Sequence, residues 1–130
     1  CAGNEIKGVG CVYQLPSYSP IKAGSDEMKK WDPNWTTEKV GSWASNDNYW
    51  AGAKKACDDI GMSLPDKSKL YSLARKKTAE KKQLGLPTTG IFWSSSEAGA
   101  YIAYDVNISG GYTTDRRKAS SIGKVLCVGD

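Results

Sequence analysis

The chain has 130 residues, 39% hydrophobic and 25% charged, with 14 Gly, 5 Pro, 4 Cys and no His. That is the length of one domain with enough apolar content for a core, and no run approaches the roughly 18 apolar residues of a membrane span. Eighteen Lys and Arg against fourteen Asp and Glu give a net charge of +4, and the lack of His removes the commonest general base and metal ligand together.

No signal-peptide pattern opens the chain, so any export signal or anchor is expected to lie outside it. Residues 1–41 carry Pro16, Pro20 and Pro33 with Trp31 and Trp35. A short strand is expected around Val9, Val12 and Tyr13. The rest of that stretch reads as an irregular N-terminal wrap, ordered because its aromatics need something to pack on. Residues 42–130 hold the regular elements, and the whole chain reads as a single domain.

Residues 47–60 spell a helix in which Trp50, Ala53, Cys57 and Ile60 share one face. Asn46 or Asp47 is placed to cap its start and Gly61 to end it. Asp66 after Pro65 caps a second helix from Lys67 to about Lys77, extending toward Lys82, with Leu70, Leu73 and Ala74 as its buried stripe. Gly85 and Pro87 break the chain. Arg75, Lys76, Lys77, Lys81 and Lys82 then form a solvated basic face. Only Tyr71 lies near them, and a nucleic-acid surface would interleave more aromatics, so nucleic acid is not the expected partner.

Strands follow. Ile91–Ser94 is one. Tyr101–Ile108 is another, with Ile102, Tyr104, Val106 and Ile108 on one face and Tyr101, Ala103, Asp105 and Asn107 on the other. Gly110-Gly111 turns the chain into a returning strand over Tyr112–Asp115, and Lys124–Val128 closes as a buried strand. Two helices followed by a twisted antiparallel sheet make an α+β arrangement.

Cys1, Cys11, Cys57 and Cys127 match no C-x-x-C pair, and without His a zinc site would need all four thiolates. Two disulfides in an oxidising compartment fit better, with three pairings open on paper. Cys1 with Cys11 would close a small loop. Cys57 with Cys127 would tie the first helix to the last strand.

The series YWAGAKKAC, SLPDKSKLYSL, IFWSSSE, AYDVN and KVLCV resembles bacterial surface domains with the C-type lectin-like fold. These are relatives of the formylglycine-generating enzyme fold, among them variable proteins diversified by retroelements and domains displayed on pili or lipoproteins. The resemblance covers residues 43–129. It implies a Cys57–Cys127 bridge and a ligand-binding sheet between Trp93 and Tyr112. Where many members have Arg before Cys-Val, this chain has Leu126. The Glu-Pro-Asn or Gln-Pro-Asp and Trp-Asn-Asp triplets of calcium-dependent sugar binders are absent. The strand region offers only Glu97, Asp105 and Asp115, so no metal site and no cofactor are expected.

Tyr101 and Tyr112 stand among Ser, Asn and Gly, the mixture of adaptable binding surfaces. Tyr104 shares a strand face with Ile102 and Val106 and is expected to be buried, and Trp93 to be structural. The expected ligand-binding set is therefore Glu97, Tyr101, Asn107, Tyr112 and Arg116. A nucleophilic Ser would need a positioned base, for which a buried Lys is the remaining option without His, and Asp58 and Asp59 are adjacent and diverge, so no catalysis is expected. The leading reading is a noncatalytic, extracellular adhesin- or receptor-like domain that holds a protein or glycan. The alternative is a structural minor pilin or pseudopilin subunit of a surface fibre. An N-terminal Cys1 would also suit a lipoprotein, at the expense of a partner for Cys11.

Overall fold

The computed structural model describes residues 1, 3–35 and 42–129, with the side chains of residues 42 and 43 outside that description. The described residues form six strands in two antiparallel sheets and four α-helices, a mixed α+β fold. Residues 36–41 of the expected N-terminal wrap lie outside the described residues.

The N-terminal stretch is more regular than its turn-rich composition suggests. Strands β1 (Asn4–Ile6) and β2 (Gly10–Gln14) form a hairpin whose turn uses Gly8 at φ 82° and Gly10 at φ 106°, a left-handed backbone that glycine adopts without a Cβ clash. A disulfide joins Cys1, ahead of β1, to Cys11 of β2. β2 also pairs with the last strand, β6 (Leu126–Gly129), in the register Val12↔Val128 and Tyr13↔Cys127, giving the sheet order β1-β2-β6. Helix α1 (Glu27–Trp31) follows, and its Met28 packs with Ile21, Trp35 and Ala51.

Helix α2 (Tyr49–Asp59) is capped by Asn48, not by Asn46 or Asp47. Asn48 is the residue with extended backbone, and its side chain accepts from the Ala51 N–H at 2.9 Å. Asp47 instead accepts from the Ala23 N–H at 3.2 Å, holding the preceding segment. Trp50, Ala53 and Cys57 are fully buried, whereas Ile60, just past the helix, is exposed. A second disulfide runs from Cys57 to Cys127 and fastens α2 to β6.

The second expected helix is two. α3 (Lys67–Ala74) begins at the Asp66 cap, which accepts from the Lys69 N–H at 2.8 Å. Lys77 then turns to an extended backbone and caps α4 (Thr78–Gln83). The basic residues are consequently not one solvated face: Lys81 is buried, its ammonium donating to the Ile108 carbonyl.

Strand β3 (Ile91–Gly99) runs five residues past Ser94, with register shifts between Trp93 and Gly99, and pairs with β4 (Ile102–Asn107), which pairs with β5 (Tyr112–Arg117). The simple two-faced reading of β4 fails, because both faces are covered. Val106 and Ile108 pack with Leu70 and Leu73 of α3. Ala103, on the opposite face, packs with Trp50 and Trp93, and Asp105 beside it is buried too. Tyr104 is only half-buried, beneath the Lys67 ammonium 4.1 Å from its ring centre. Lys124 joins the two sheets, bonding Trp93 and Ile91 through its backbone at 2.9 and 2.8 Å.

Candidate functional site

The structure separates the five expected binding residues into two groups. In the first, Tyr112, Thr114 and Arg116 alternate along β5 and so share one face, beside Asn107 and Asp105 of β4. Gly111, at φ 65°, lets the β4–β5 hairpin close. Asn107 builds that turn: its Oδ1 accepts from the Ser109 N–H at 3.0 Å, the Ser109 hydroxyl at 2.8 Å and the Gly110 N–H at 3.1 Å. Its Nδ2 donates to the Tyr112 hydroxyl at 3.2 Å. Tyr112 is thereby held with its ring beside Gly110 and 53% of its surface exposed. Arg116 donates to the fully buried Asp105 carboxylate at 2.5 Å, and the Thr114 hydroxyl donates to the other oxygen of that carboxylate. This pairing satisfies a carboxylate that would otherwise be buried alone.

Glu97 and Tyr101 belong to a different environment, at the β3–β4 turn. The Tyr101 ring meets Trp35 edge-to-face at 4.8 Å, so it secures the N-terminal segment to the sheet. Glu97 accepts from Asn34 Nδ2 at 3.0 Å and from the Lys118 ammonium at 2.9 Å. Lys118 is fully buried and also donates to Asp32 Oδ2 at 3.0 Å and to the Ala100 carbonyl at 2.9 Å, with the Trp50 ring 4.2 Å away. Asn48 Nδ2 donates to the same Asp32 oxygen at 2.8 Å. Lys54 reaches the Trp31 carbonyl at 2.9 Å and lies 4.4 Å from the Trp50 ring centre.

Neither Asp32 nor Lys118 stands out in the sequence. Asp32 sits between a Trp and a Pro, and Lys118 follows two arginines, contexts that read as a turn and a solvated strand end. No spacing rule relates positions so far apart in the chain, so nothing in the sequence pattern could have paired them.

The charges of this cluster act on one another. Burial pushes the Glu97 carboxyl up, but the hydrogen bonds from Asn34 and Lys118 and the charges of Lys118 and Lys54 outweigh it and hold the group below its ordinary 4.5. For Lys54 burial dominates, aided by Lys118 against the pull of Asp32 and Glu97, and its amine is shifted down. Because the Glu97 pKa is depressed in the folded state, its contribution to stability is present above 4.5 and is lost as pH falls through the folded value. Urea melts of the protein and of Glu97→Gln at about pH 6 and about pH 3 test this sign. The gap between the two proteins is expected to narrow at the lower pH by the part that the Glu97 charge supplies, and a gap that widens there is the contrary result.

A third feature is a cleft of about 460 Å³ between the chain after β2 and the loop before β6. Leu15, Pro16, Tyr18, Tyr49 and Ile122 line it. The Tyr18 hydroxyl donates to the Gly123 carbonyl and accepts from Trp93 Nε1 at 3.1 Å, which fits a strut between loops. Among the described residues no cluster of three or more Cys, Asp or Glu is disposed to hold a metal, all cysteines are in disulfides, and no helix is long and apolar enough to cross a membrane.

A family model described as a domain of unknown function (DUF8780) matches residues 42–129. No curated protein matches the chain. Among solved structures, that of the Yersinia pseudotuberculosis adhesin InvE is similar at 14% identity and a TM-score of 0.48, with 95% of this chain covered. The chain spans 37% of that protein's length.

Proposed function

We propose, for a chain that belongs to the DUF8780 family of uncharacterised domains, a noncatalytic ligand-binding domain of C-type lectin-like architecture that works outside the cell. Its contact surface is β5 with the β4–β5 turn, where Tyr112 leads, Asn107 and Thr114 flank it, and Arg116 closes the row. Glu97 and Tyr101 border the surface at the far end of the same sheet and set the loop there. The ligand is a protein or a glycan.

The observation that carries this reading is Tyr112 itself. A large ring kept mostly in solvent, with its hydroxyl held by Asn107 at 3.2 Å, offers broad contact area at little further entropic cost. Ser109, Gly110 and Gly111 beside it supply the adaptable polar backbone that accompanies tyrosine in binding loops. β5 pairs with β4 alone among the described strands, so its outer edge also offers main-chain groups to an extended partner. The two disulfides fit an oxidising, extracellular setting.

An array of purified glycans and cell-surface glycoproteins, probed with the labelled domain, tests the proposal. The domain is expected to bind at least one member. Tyr112→Ala should weaken that binding about 30-fold or more, the ~2 kcal/mol of a hot-spot tyrosine, at an unchanged melting temperature. Equal binding by the variant, or no binding across the array, overturns the reading. Arg116→Ala is the wrong probe, since it leaves the buried Asp105 without its cation.

A further inference from the structure

The buried cluster around Lys118 brings together an amine, a carboxyl and a second carboxylate in the arrangement that amide formation requires. Lys118 and Asp32 are both fully buried and 3.0 Å apart. Glu97 lies 2.9 Å from the same ammonium and keeps part of its surface open to solvent. Asp32 is used unevenly. Its Oδ2 accepts from Asn48 and Lys118, while its Oδ1 is buried with no hydrogen-bond partner among the described residues. A carboxylate that stays ionised has reason to satisfy both oxygens, because each buried acceptor left unpaired is costly.

We propose that Lys118 and Asp32 are joined in the mature protein by an isopeptide bond between Lys118 Nζ and Asp32 Cγ, formed spontaneously with Glu97 as the proton relay. Glu97 takes one proton from the Lys118 ammonium, and the neutral nitrogen attacks Asp32 Cγ. The proton held by Glu97 and a second N–H proton pass to Oδ1, which leaves as water when its bond to Cγ breaks. One hydrogen stays on the new amide nitrogen. An ammonium and a carboxylate become an amide and a water, so atoms and charge balance and no oxidant, nucleotide or enzyme is needed.

Three features favour this product. Oδ1, the oxygen without a partner, is the one expelled, while Oδ2 remains as the amide carbonyl that accepts from Asn48. Condensation removes two charges that folding has taken out of water, a standing cost that an uncharged amide does not carry. The fold holds the reacting groups at contact distance, and intramolecular reactions so arranged reach effective molarities on the order of 10⁵ M or more. Trp50, 4.2 Å from Lys118 and itself fully buried, keeps bulk water from this side. The bond would close a covalent loop from the end of α1 to the residue after β5, tying the N-terminal segment to the second sheet, where neither disulfide reaches.

The intact mass of the oxidised, folded protein tests the proposal. Wild type is expected to be lighter than the disulfide-bonded chain by the mass of one water, and tandem mass spectrometry of a digest should give a branched peptide linking residues 32 and 118. Glu97→Gln, checked for folding by circular dichroism, should keep the full mass, as should Lys118→Arg. Wild type at full mass with both disulfides formed overturns the isopeptide. A Glu97→Gln protein that is still one water light overturns the relay.

Discussion

Lys118→Ala is expected to cost at least about 3–5 kcal/mol of folding free energy, the range found when one member of a buried ion pair is removed. The reason lies in what stays behind. Asp32 would remain fully buried with Asn48 as its only side-chain donor among the described residues, and the Ala100 carbonyl would lose its bond from Lys118. For a chain of this length the loss corresponds to a fall in melting temperature of roughly 10–20 °C. Urea or thermal melts of the folded protein measure it directly. The double variant Lys118→Met with Asp32→Asn is expected to recover the part of the loss that comes from the buried charge of Asp32, because an amide at position 32 can still accept from Asn48. A loss under about 1 kcal/mol for Lys118→Ala, within the range of a surface substitution, would mean that the cluster is solvated and does not organise the fold.

That cluster also marks where the sequence stops being informative. Helix α2 is legible because Trp50, Ala53 and Cys57 recur at helical spacing, and burial on one face is what such spacing encodes. The β4–β5 hairpin is legible because Gly110 and Gly111 interrupt an alternating run. Alternation alone could not say that β4 is covered on both sides, since that depends on α3 lying on one face and the Trp50–Trp93 cluster on the other. The split between α3 and α4 is similar: the residues from Arg75 to Lys77 are good helix formers, yet Lys77 turns to an extended backbone ahead of the helix that brings Lys81 to the Ile108 carbonyl.

Tyr112, Asn107 and Arg116 come to one face because they lie on adjacent strands in register, a relation the hairpin turn fixes and the sequence therefore carries. Glu97 and Tyr101 are drawn away by partners in the N-terminal segment, Asn34 and Trp35. Those contacts join residues more than sixty positions apart, and residue type alone gives no hint of them. Lysines 81 and 118 show the limit most plainly. Lysine is rarely buried, and its long stem lets a single distant carbonyl or carboxylate decide where the charge ends up.

The second large effect concerns the disulfide between α2 and β6. Cys57→Ala with Cys127→Ala is expected to lower stability by about 4 kcal/mol in the chain-entropy model, because the bridge closes a segment with a sequence separation of 70. Both sulfurs also lie in the cluster of Trp50, Leu64 and Trp93, so their removal leaves space that the surrounding rings cannot fill without shifting. The Cys1–Cys11 bridge spans a separation of only 10 and fastens a hairpin that β2 already pairs in register. Its removal by Cys1→Ala with Cys11→Ala should cost less, about 2–3 kcal/mol or below. Paired urea melts of the two double variants, under oxidising conditions, rank them. The expected order has a physical basis beyond loop length: α2 touches β6 covalently at Cys57, and β6 is the strand that links the N-terminal hairpin to the rest of the chain. Cutting that link frees a helix and a sheet from each other, whereas cutting the other frees only one chain end. An equal or reversed order would show that the N-terminal hairpin, and not the α2–β6 junction, limits the stability of the fold.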